Sequence, residues 1–133
     1  MLLYSNKTQV AYAAATWVFG GDNILSGTEK TEISKAFNGI RSPWHLEPND
    51  ENAKWVHSLC STGKMTLKSI LDGVNNDFAF TLQEKYQLFW CVCVPMNSMN
   101  QGDKSKDGWE RAHKLRKALD INEDDYNTWA NQK

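Results

Sequence analysis

The stretch TLQEKYQLFWCVCVPM, Thr81–Met96, decides between a helical and a mixed fold. Its middle, WCVCV, is rich in β-prone residues and, cut out alone, reads as a buried strand. Its opening argues otherwise. Thr81 and Glu84 stand three apart, the spacing at which a threonine side chain accepts from the backbone of a helix's third residue while a glutamate returns the bond. A capping box fixes a helix start, and WCVCV then lies inside the helical run that the box opens. The spacing predicts a helix that is apolar on almost every side, the central and most buried one, which Pro95 ends or kinks.

The same signals recur outward from this segment. Roughly Asn6 to Phe19 carries Val10, Ala13, Ala14, Trp17 and Val18 on one side and stops at Gly20-Gly21. Ser26-Gly27-Thr28-Glu29 is a second capping box, opening a helix with Ile33, Phe37 and Ile40 inward. The segment IRSPWHLEPND reads as a proline-containing connector, in which Trp44, with His45 and Leu46, is expected at the surface as part of a partner-binding patch. Asn49 or Asp50 caps a helix through Cys60, and Thr66 starts a short one that Gly73 and Asn75-Asn76-Asp77 end. Asp107-Gly108-Trp109-Glu110 is a third box, leading into a helix with Trp109, Ala112, Leu115 and Leu119 on one face and cations on the other. Asn122 caps a last helix with Tyr126 and Trp129. The expectation is an all-α single domain, residues 1–133, of about seven helices and no sheet.

Composition bounds the function. A chain of 133 residues with six Trp, five Phe and four Tyr can bury a substantial core without staples. A net charge of −1 gives no general pull toward nucleic acid, so polyanion binding would need the local run Arg111, His113, Lys114, Arg116, Lys117. The commoner reading of such a run is the solvated face of an amphipathic helix. Cys60, Cys91 and Cys93 are odd in number and lie in apolar surroundings, which fits buried thiols in a reduced, cytoplasmic setting. No apolar run reaches the ~20 residues that cross a bilayer. His45, His57 and His113 have no neighbour at metal or triad spacing; His57 and Cys60 share a helix face without a third orienting group. No enzymatic activity is expected.

GDKSKDGWERAHKL, Gly102–Leu115, opens with the oxygen pattern of a calcium loop. The position that should hold a bidentate Glu is Lys114, so it is not an EF-hand. Its first acidic part instead aligns without a gap on an earlier segment: DNILSGTEK, Asp22–Lys30, matches DKSKDGWER, Asp103–Arg111, as Asp-x-x-x-[Ser/Asp]-Gly-x-Glu-[Lys/Arg]. Each copy follows an apolar helix and introduces an amphipathic one.

In these two segments the chain resembles the tellurite-resistance TerB family and its TerB-like relatives. The resemblance implies a pseudo-repeated helical bundle without catalytic activity, a stress-associated interaction module with an unidentified protein partner. It also implies a divalent cation, Ca²⁺ or Mg²⁺, held by acidic residues of the paired loops, with Asp22, Glu29, Asp103, Asp107 and Glu110 as ligands. Against the cation stands helix capping, which accounts for Glu29, Asp107 and Glu110 without a metal. Capping leaves Asp22 and Asp103 unexplained. For a partner, the candidate contacts are Arg111, Lys114, Lys117 and Trp44.

Overall fold

The computed structural model describes residues 2–20, 25–98 and 102–132, the side chains at 102–105 excepted. Within them the chain is helical, with no strand: α1 Lys7–Gly20, α2 Gly27–Phe37, α3 Glu51–Ser61, α4 Leu67–Asp72, α5 Leu82–Ser98, α6 Gly102–Ala118 and α7 Glu123–Ala130. A π-helical turn, Gly73–Asp77, extends α4.

Most helix starts follow the local chemistry of their caps. Asn6 accepts from the backbone NH of Gln9, Asp50 from Ala53 and Asn122 from Asp125. Ser26 and Glu29 exchange both bonds of a capping box, at 3.2 and 2.8 Å, as do Thr81 and Glu84 at 3.1 and 3.0 Å. Each cap gives orphan amide groups at a helix entrance a partner.

The centre of the bundle is α1 rather than α5. Val10, Ala11, Ala13, Ala14, Ala15 and Val18 are all fully buried. Its small side chains let α3, α4, the π turn, α5 and α6 all pack against it. The α5 helix, expected at the centre, buries Leu88, Phe89, Cys91, Val92, Pro95 and Met96 but leaves Tyr86, Trp90, Cys93 and Val94 partly open. It packs along α2 and, less closely, against α6 and α7.

Four expectations are corrected by tertiary contacts. Pro95 does not end its helix: α5 continues through it to Ser98, without the amide that would have bonded to the carbonyl of Cys91. Ile40 is 95% exposed, because α2 stops at Phe37 and the helical spacing that would have turned Ile40 inward ends with it. Gly73 does not by itself stop its helix, which widens there into the π turn and runs on to Asp77, the last residue of the expected Asn75-Asn76-Asp77 stop. A Cβ on Gly73 would lie 2.9 Å from a methyl of Val10, so the absent side chain admits α1.

Trp44 is the fourth. It is buried, its ring between Phe37 at 6.3 Å and Phe80 at 5.9 Å, and so offers no surface to a partner. The proline-containing connector is pinned inward: Ser34 and Asn38 both donate to the carbonyl of Leu46, and Asn38 accepts from its amide.

Candidate functional site: an aromatic cleft between α5, α6 and α7

The third proposed capping box does not form. Asp107 lies inside α6, which begins upstream at Gly102, and both Asp107 and Glu110 are exposed on it. Gly108 holds this part of α6 close to its neighbours. A Cβ there would come within 2.7 Å of the Met96 methyl and 3.8 Å of the Val18 carbonyl, at the end of α1. The two matching segments thus differ: the first is a true helix entrance, the second a continuous helix.

Of the proposed cation ligands, Glu29 spends a carboxylate oxygen on the amide of Ser26. Asp22 and the side chain of Asp103 lie outside the described residues. Among the described residues no three His, Cys, Asp or Glu side chains gather as a metal site would require. Glu29, Asp107 and Glu110 therefore do not by themselves supply the several oxygens that Ca²⁺ or Mg²⁺ takes.

The basic face is also divided. Arg111 reaches back to the end of α1, where its Nε donates to the Val18 carbonyl at 2.7 Å and a terminal nitrogen donates to the Phe19 carbonyl at 3.3 Å. A cation on the last carbonyls of a helix satisfies orphan acceptors and suits the dipole. Arg111 is thus a structural clasp rather than a partner contact. Lys114 and Lys117 do face solvent, on the same helix as the exposed Asp107 and Glu110, so the surface is mixed in sign.

What the sequence did not single out is a cleft of about 360 Å³ between α5, α6 and α7. Phe89, Trp90 and Cys93 line it from α5, Trp109, His113 and Arg116 from α6, and Glu123, Tyr126 and Asn127 from α7. The α6 residues stand at i, i+4 and i+7, one helical stripe, a spacing that by itself fits core plus solvated charge equally well. Its floor is an aromatic cluster. Tyr126 meets Phe89 edge-on at 4.9 Å, and Tyr86 and Trp129 pack 5.6 Å apart behind it. The rings of Trp109 and His113 lie 6.3 Å apart along one wall.

The end of α6 sets Arg116. Asp120 takes a left-handed conformation, φ 59°, and the amides of Asp120 and Ile121 bond back to the carbonyls of Lys117 and Arg116. This pair of bonds is the Schellman arrangement that closes a helix. The Arg116 guanidinium donates once to the Ile121 carbonyl, at 2.9 Å, and its buried Nε has no partner among the described residues. It also makes no ion pair with any described carboxylate.

Burial governs the other titratable groups of the cleft. It pushes the Cys93 thiol up to about 12, with Glu123 adding to the rise and a bond to Tyr126 opposing it. Burial likewise raises the Tyr126 hydroxyl. Both therefore stay protonated near neutrality, and Cys93 presents a weakly polar thiol rather than a nucleophilic thiolate.

Elsewhere His57 sits 2.7 Å from the Tyr12 hydroxyl, and its imidazole is lowered by burial and by Lys30. No helix among the described residues is long and apolar enough to cross a membrane. In comparisons with protein-family models, curated proteins and solved structures, the chain matches none.

Proposed function

We propose that this chain is a non-enzymatic helical binding module, acting in the cytoplasm, whose ligand seat is the cleft between α5, α6 and α7. One observation carries the reading: a concave site of about 360 Å³ whose aromatic walls are interrupted by a few polar groups, His113, Arg116, Glu123 and Asn127. That composition and size are those of small-molecule pockets. The protonated Cys93 thiol supports capture over chemistry. A thermal-shift screen with a panel of small aliphatic and aromatic compounds tests it. At least one compound should raise Tm in proportion to its concentration, and the rise should vanish in Asn127→Trp, which fills the cleft from an exposed position on α7. A panel without any shift overturns the proposal.

The TerB resemblance supports a second reading, a stress-associated interaction module with its partner surface ordered by Ca²⁺ or Mg²⁺. The approach of Gly108 and Arg111 to the end of α1 favours it, since it brings α6 to the helix end that precedes Asp22. Calorimetric titration with each cation would show heat that disappears in Asp22→Asn combined with Asp103→Asn. The absence of heat at millimolar metal ends that reading.

A further inference from the structure

Resting on the cleft as the ligand seat, we propose that its ligand is a planar aromatic monocarboxylate. The ring selectivity comes from the walls. Phe89, Trp90 and Trp109 line the cleft from two different helices and Tyr126 from a third, so a flat aromatic ring finds aromatic partners there that a flexible aliphatic chain of equal size would not.

The charge comes from Arg116. It is a half-buried cation whose donors are mostly unspent: one goes to the Ile121 carbonyl, the buried Nε goes to none of the described residues, and no described carboxylate pairs with it. A guanidinium carries five N–H donors in a fork that matches a carboxylate, and the terminal nitrogen that Ile121 does not engage has donors to give one. Removal of Arg116's neighbours from water strengthens the bond it forms.

Glu123 limits the charge to one. It lines the same cleft from the first turn of α7, so a dianionic phosphate would bring its second charge against a carboxylate, whereas a monoanion is neutralised by Arg116 alone. The assignment is thus an aromatic acid, not a nucleotide or a phosphorylated sugar.

Three probes on one naphthalene ring test it on the full chain by quenching of tryptophan fluorescence: 2-naphthoate, its neutral isostere 2-naphthamide, and 2-naphthyl phosphate. The expected result is that 2-naphthoate binds roughly tenfold tighter than either of the others, the ratio a single charge-assisted bond supplies. Asn127→Trp, which leaves Arg116 in place, should abolish binding of all three. Arg116→Gln should make naphthoate and naphthamide equal; because Arg116 also ties the α6–α7 turn, Glu123→Gln provides an independent arm and should raise the affinity for naphthyl phosphate towards that for naphthoate.

Equal binding of naphthoate and naphthamide by the unaltered chain overturns the carboxylate assignment and leaves the cleft reading standing. Phosphate binding tighter than carboxylate overturns the monoanion. No binding of any probe overturns the aromatic assignment, and the broader compound screen then decides the cleft reading separately.

Discussion

Gly73 has a helical backbone, φ −61° and ψ −45°, so a methyl group there gains about 1 kcal/mol of helix propensity. The same methyl would meet both methyls of Val10, at 2.9 and 3.2 Å, in the fully buried face of α1. Overpacking of this kind costs about 1–3 kcal/mol, so the clash wins. Gly73→Ala should lower the urea midpoint, and adding Val10→Ala should recover part of the loss in a double-mutant cycle. Arg111 gives a second contrast. Arg111→Met keeps the stem and removes the bonds to Val18 and Phe19, at a cost of about 1–3 kcal/mol. The exposed Lys114→Met should stay within about 0.5 kcal/mol, and equal effects of the two would contradict the clasp.

Between elements, the sharpest comparison is between α2 and α6, whose starts look alike in sequence. Ser26→Ala should cost about 1 kcal/mol, because Ser26 caps α2. Asp107→Ala should cost little or even stabilise, because Asp107 is an exposed residue in the interior of α6. A loss of similar size at Asp107 in chemical denaturation would restore the capping box there. The helices at Asp50, Thr66, Thr81 and Asn122 were legible because each cap is a contact within four residues, set by the local chain. Asp107 misled because a capping pattern says nothing of whether the preceding residues are already helical. Ile40, Pro95 and Trp44 were misplaced for a related reason: where α2 stops, whether α5 runs on through a proline, and that Phe37 and Phe80 enclose Trp44 are settled by the assembled fold rather than by local spacing. The cleft was half visible. Trp109, His113 and Arg116 form a stripe in the sequence, but that α5 and α7 stand opposite it is a property of the assembled fold.

For the molecule as a whole, the pair Tyr12 and His57 joins α1 to α3 and links stability to pH. Burial lowers the His57 imidazole below its ordinary value of 6.5, so the unfolded chain takes up a proton there before the folded one does. The contribution is present above about pH 6.5 and is lost as pH falls towards the lower folded value. Urea stability should therefore decline from pH 8 to pH 5, and His57→Gln, which keeps an acceptor near Tyr12, should flatten part of that slope. An unchanged slope in the variant would remove His57 from the account.

The position of α1 has a consequence for how the chain is made. The helix around which the others gather is also the earliest in order, and its clasp, Arg111, lies 93 residues after Val18. At about 5–20 residues per second, a ribosome takes roughly 5–20 s to supply that residue once Val18 has appeared. Throughout that interval the alanine-rich face of α1 lacks its α6 partner. Slower synthesis between Val18 and Arg111 lengthens that interval and should lower the yield of folded chain.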